Sequence, residues 1–212
     1  MAIQAVNLTK SFGNYRIFEN LSFEISSGQC FALFGSNGAG KTTLLRILAT
    51  LVRPTSGEFS IFGKDGIQEK DAVRQTIMFL AHGSHLYDDL DALENLRFAL
   101  AMRNQQPSSQ DMKRALDRVS LGAFAGMKTR NFSAGMKRRL ALAKVILAQP
   151  QVLFLDEPYN ALDEAGVQTT NTIILEVMTR NGLVVMTTHD QEKAHKVSTR
   201  SGLLRQGSLT LS

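Results

Sequence analysis

Apolar and polar residues alternate along residues 2–8 and again along 21–25, after which Ser26, Ser27 and Gly28 interrupt the pattern. Period two predicts half-buried strands joined by turns at the start of the chain. Residues 30–34 (Cys-Phe-Ala-Leu-Phe) then form a continuous apolar run, as expected of a strand covered on both faces. Glycines follow it at once. Over residues 41–52 the period lengthens, with Leu44, Leu45, Leu48 and Leu51 on one helical stripe until residues 54–57 stop it. Residues 58–62 and 75–80 read as short strands.

From about residue 88 to 148 the strand pattern vanishes, and amphipathic stretches around 94–102, 111–119 and 134–147 predict helices. Strand character returns at 152–155, followed by a helix around 164–180, an apolar run at 183–187, a helix after His189 and a terminal hairpin over 202–211. Strands alternating with helices predict an α/β fold with a mostly parallel core sheet, preceded by an antiparallel β part. The expected organisation is a single domain over residues 1–212, with 1–81 and 149–212 as its core and 82–148 as an inserted helical subdomain.

Composition narrows the class. A chain of 212 residues, 43% hydrophobic and 20% charged, is sized for one core and too balanced for disorder. A lone cysteine, Cys30, excludes an intramolecular disulfide. No apolar run approaches the roughly 18 residues of a spanning helix, and the first ten residues lack the order of a signal peptide, so the chain is expected neither to cross nor to leave through a membrane by itself. The net charge of +5 is uneven: residues 111–148 hold nine cations against Asp111 and Asp117, a local +7 that leaves −2 elsewhere. Such a segment suits phosphates or an anionic surface, or else a solvated helix face.

The strongest chemical signal is Gly35-Ser36-Asn37-Gly38-Ala39-Gly40-Lys41-Thr42, a full match to the phosphate-loop pattern between a buried strand and a striped helix. Its glycines let backbone N–H groups curl around phosphate oxygens, Lys41 supplies a positive charge, and Thr42 offers a hydroxyl to magnesium. Asp156 and Glu157 end the apolar run at 152–155, at the carboxyl edge where parallel sheets bind ligands. Asp156 can there face the metal held by Thr42, and Glu157 can orient or deprotonate water. An acidic helix cap is the simpler alternative. His189, at the mouth of the next strand, can hydrogen-bond a γ-phosphate; alone, it would read as a surface or cap residue.

Together with Phe132-Ser133-Ala134-Gly135-Met136, which stands where the family has its LSGGQ signature, these elements resemble the nucleotide-binding subunit of an ATP-binding cassette (ABC) transporter over nearly the whole chain. The resemblance implies a phosphate-loop ATPase fold of ABC type, with ATP and Mg²⁺ on residues 35–43 (through Thr43) and Asp156. It makes Glu157, His189 and Lys41 the catalytic residues. It also implies that Ser133, Ala134 and Gly135 close over the γ-phosphate of a second copy, so that a homodimer sandwiches two nucleotides head to tail. Asn160-Ala161-Leu162-Asp163 resembles the loop that communicates across that dimer. Phe12 falls where the family stacks a ring on adenine, although it could equally be a core aromatic. His82 replaces a glutamine that usually contacts magnesium and water, and residues 82–98 would form the lever to membrane partners.

His82, the Leu90-Asp91-Ala92-Leu93-Glu94-Asn95-Leu96-Arg97-Phe98 segment, Ser133-Ala134-Gly135 and the Arg138-Arg139 pair are similar to the ATP-binding subunit of the cytochrome c maturation haem export system. Met136 departs from its usual glutamine. The implied protein lies peripherally on the cytoplasmic face of the cell membrane, drives integral membrane subunits, and is expected to bind no nucleic acid. Another exporter of drugs, lipids or polysaccharide, and a soluble ATPase outside transport, are the competing readings.

Overall fold

The computed structural model describes residues 1–81 and 86–212. Two sheets organise them. The antiparallel sheet holds β1 (Ile3–Phe12), β2 (Tyr15–Ile25), β4 (Ser56–Ile61) and the short β5 (Lys64–Asp65), in the order β2-β1-β4-β5. The second sheet is ordered β10-β9-β3-β8-β7-β6, from β3 (Cys30–Phe34), β6 (Ile77–Leu80), β7 (Val152–Asp156), β8 (Leu183–Thr187), β9 (Arg200–Arg205) and β10 (Ser208–Leu211). Its pairs are parallel from β9 through β6, and β10 closes one edge antiparallel.

Every residue of β3, β7 and β8 is buried, which explains their unbroken apolar runs. Phe31, Leu33 and Phe154 point into a layer shared with the antiparallel sheet and with Leu45 and Ile47 of α1 (Lys41–Leu48). Ala32, Leu153 and Leu155 point the opposite way. There they meet α5 (Ala134–Ala148), α6 (Glu164–Thr179) and the buried residues of α3 (Ala92–Ala101) and α4 (Ser109–Arg118). Period two within each strand thus divides the core into two layers, with the sheet as the wall between them.

Between β6 and β7 the described residues are helical, with α3, α4 and α5 supplemented by two 3-10 turns. The last helix, α7 (Gln191–His195), precedes β9. Several boundaries differ from expectation, β2 for one beginning at Tyr15 in place of residue 21, and two of the shifts have a plain local cause. The first helix stops at Leu48 because Thr50 adopts a left-handed φ of 59°, and Leu51, expected on its stripe, is 56% exposed. The strand expected over 75–80 begins only at Ile77, because α2 (Lys70–Thr76) occupies the residues before it. No helix among the described residues is long and apolar enough to cross a membrane.

Candidate functional site

Residues 35–40 connect β3 to α1 under tight steric constraint. At Gly35 (φ 152°), a Cβ would stand 2.4 Å from the Leu204 carbonyl oxygen. At Gly40 (φ 101°), which caps α1, it would stand 2.6 Å from Ile17 Cγ2. The loop is therefore pressed against β9 and β2, and only glycine fits at either point. Helices α3 to α7 each begin with an Asp or Ser side chain accepting a first-turn amide. By contrast, α1 has neither such an acceptor nor an acidic residue in its first turn. Its leading N–H groups are left for an anion.

Lys41 is buried, and its Nζ donates to the carbonyls of Gly35 (2.8 Å) and Ser36 (3.1 Å). Its charge is thus laid along the loop. Ser36, Asn37, Gly38 and Ala39 form one wall of a cavity of about 600 Å³, with residues 15–20 and 206–208 opposite. Thr43 follows, half-buried in the first turn of α1. Phe12 is 53% exposed, so it is no core aromatic, and Lys10 Nζ stands 4.4 Å from its ring centroid. Its cross-strand partner, Tyr15, lines the cavity together with Phe18. Tyr15 is not among the site residues expected from the sequence, although its place two residues after Gly13, at the start of the next strand, was the available signal.

The carboxyl ends of β7 and β8 bring the acidic residues to this loop. Asp156 is 4% exposed, and the β7–β8 register sets it opposite Thr187. Thr42 Oγ1 donates to both Asp156 carboxylate oxygens at 3.0 Å, and Thr187 Oγ1 donates to Oδ1 at 2.6 Å. Among the described residues these hydroxyls are the only hydrogen-bond donors to that carboxylate. A buried carboxylate held by neutral donors, beside a threonine hydroxyl, is a hard oxygen set that suits Mg²⁺ completed by water and phosphate.

Glu157, the next residue, is left-handed (φ 49°), and its amide donates to the Thr187 carbonyl at 3.0 Å. Its Oε2 lies 2.9 Å from Nδ1 of His189, whose side chain is 66% exposed. The pair therefore sits where the buried site opens to solvent.

The structure does not bring every candidate to this point. Ser133 caps α5 by accepting from the Met136 amide (3.2 Å), and both Ser133 and Ala134 are exposed. A Cβ on Gly135 would stand 2.7 Å from the Ala161 carbonyl oxygen. Among the described residues no hydrogen bond joins 133–135 to 35–43 within the chain. His82 lies outside the described residues.

The basic segment is largely neutralised where it stands. Arg114, Arg118, Lys128, Arg130, Lys137 and Arg139 pair with Asp111, Glu176, Glu94, Asp89, Asp88 and Asp163. Arg138 and Lys144 are buried. Burial lowers the Arg138 guanidinium from its ordinary value while Asp156 and Glu157 hold it up. Burial alone brings Lys144 down to about 8 and pushes the Cys30 thiol up to about 12.

The sequence profile of the family described as ABC transporter matches residues 18–160. The chain is 36% identical over 196 residues to the cytochrome c biogenesis ATP-binding export protein CcmA of Pseudomonas aeruginosa, covering 92% of this chain and 96% of that protein. It is 35% identical over 190 residues to an uncharacterized ABC transporter ATP-binding protein, YybJ, of Bacillus subtilis, covering 90% of this chain and 86% of the relative. Among solved structures, a dimeric post-hydrolysis ATP-binding cassette bound to ADP and Pi superposes with a TM-score of 0.89 at 25% identity, covering 99% of this chain and 97% of that one.

Proposed function

Because the chain belongs to the ABC transporter family, as one of its ATP-binding subunits and an ATPase, we propose that its hydrolysis powers haem export in c-type cytochrome biogenesis. The identity with the Pseudomonas export protein, spread over 92% of the chain, is the observation that carries the cargo assignment. The retained Ser133-Ala134-Gly135 and Arg138-Arg139 support it. The second reading, another exporter, draws on Met136 and on the nearly equal identity to the Bacillus protein.

In the proposed cycle the triphosphate of ATP lies on residues 35–43, with Phe12 and Tyr15 at the adenine end. Lys41 exchanges its loop carbonyls for phosphate oxygens. Thr42 and Asp156 would hold Mg²⁺, which when bound neutralises charge on the phosphates. Glu157 orients water and takes its proton as oxygen attacks the γ-phosphorus and the bond to the β-phosphate oxygen breaks, giving ADP and phosphate. His189 hydrogen-bonds the γ-phosphate. A second copy covers that phosphate with its own Ser133, Ala134 and Gly135, and loss of the phosphate on hydrolysis lets the pair reopen. His82, with the segment to residue 98, would carry that movement to integral membrane subunits on the cytoplasmic face. Local pairing of the basic segment supports a protein partner over nucleic acid.

Glu157→Gln tests the chemistry: ATP should still bind by titration calorimetry while turnover falls at least about a hundredfold. Wild-type turnover would remove Glu157 from its role. Co-purification from membranes tests the cargo, since haem-handling partners are expected only if the first reading holds.

A further inference from the structure

Arg138 is the least expected group in the site. Its side chain, 6% exposed, enters the protein from the second turn of α5 and meets no carboxylate oxygen among the described hydrogen bonds. It donates instead to four main-chain carbonyls: Nε to Pro158 (3.2 Å), Nη1 to Ala81 (2.8 Å), and Nη2 to Asp156 (3.2 Å) and Glu157 (3.1 Å). Burying a guanidinium without a bonded counter-ion is costly, and an apolar side chain would pack there more cheaply. What arginine provides that hydrocarbon cannot is a planar fork of five N–H donors fixing several acceptors at once.

Three of those acceptors are consecutive and bracket Glu157, whose left-handed backbone needs its surroundings to hold it. The fourth, Ala81, directly follows β6. Two neighbouring contacts tighten the same connection: Arg139 pairs with Asp163, and Gly135 lies against the Ala161 carbonyl. The first two turns of α5 therefore grip residues 156–163 from end to end.

We infer that Arg138 is a positioning residue for hydrolysis, aiming the Glu157 carboxylate and tying it rigidly to Ser133, Ala134 and Gly135 on the same helix. This rests on the reading of Glu157 given above. Engagement of residues 133–135 by the second copy's nucleotide is then felt at the Glu157 backbone through the fork.

The test uses Arg138→Lys, Arg138→Met and Glu157→Gln, alone and combined. Arg138→Met should lower kcat at least about tenfold while KM and ATP affinity stay within about twofold. Arg138→Lys, with three donors left, should recover part of kcat. Added to Glu157→Gln, Arg138→Met should cause no further loss, because a group acting through Glu157 cannot act without it. Unchanged kcat in Arg138→Met overturns the inference. So does a loss of ATP affinity and kcat in step with melting temperature, unrecovered by lysine, or an additive loss in the double variant. Wild-type turnover in Glu157→Gln would instead remove the reading of the site itself.

Discussion

At residue 35 the chain has no room for a side chain. The obstacle is the Leu204 carbonyl of β9, held by the sheet and unable to move aside. Gly38 differs: its φ is also positive (79°), but nothing lies within 4 Å of its missing Cβ. Gly35→Ala should therefore displace the loop, lower the melting temperature and weaken ATP binding at least about tenfold. Gly38→Ala carries only the backbone strain of about 1 kcal/mol. Thermal melts and titration calorimetry on the two variants check this, and equal effects would refute the steric account. Their spacing is legible in the sequence as a phosphate-loop pattern, and the fold sets it between β3 and α1. The reason Gly35 is irreplaceable was not legible, because it lies 169 residues away in a strand whose neighbours only the folded sheet defines.

At the scale of one element, α5 shows where pattern reading succeeds and stops. Its extent, residues 134–148 against an expected 134–147, was plain from the sequence. Its surroundings were not, because residues 140–145 are all buried and no polar stripe marks which cations face water. The sequence treats Lys144 like Lys137, yet Lys144 is enclosed beside Met78, Leu80 and Ala141 in a cavity of about 540 Å³. Unfolded, its amine holds a proton up to about 10.5; folded, only up to about 8. Between those values the unfolded chain binds more protons, so stability rises with pH, and below about 8 the whole penalty, on the order of 3 kcal/mol, is present. Lys144→Met should raise stability at pH 7 and abolish that rise. Urea titrations of both proteins across pH 7 to 10 measure the difference, in which the opposing titration of Cys30 cancels. A variant less stable throughout would mean that the ammonium is a favourable partner.

Across the whole molecule the residues proposed for the site fall into two separate groups. Loop, carboxylates and His189 gather at the ends of β3, β7 and β8, whereas Ser133 and Ala134 stand exposed and, among the described residues, make no hydrogen bond to that cluster. Resemblance nominates both groups from the sequence, but spacing could not say that they stay apart, since strand order and helix placement set that distance. If residues 133–135 cover a nucleotide as proposed, this exposed, capped helix start meets it from outside, on another copy in head-to-tail symmetry. In Glu157→Gln, where ATP persists, saturating MgATP should double the mass from 23.3 kDa in light scattering. Adding Ala134→Arg, whose side chain has room in the free chain, should abolish doubling while ATP affinity of the single chain stays within about twofold. A mass that never doubles would leave residues 133–135 as a helix cap and make the membrane partner responsible for completing the site. Doubling that survives Ala134→Arg would place the contact between copies on another face, and the hydrolytic water would then be exposed to solvent on the side these residues are proposed to seal.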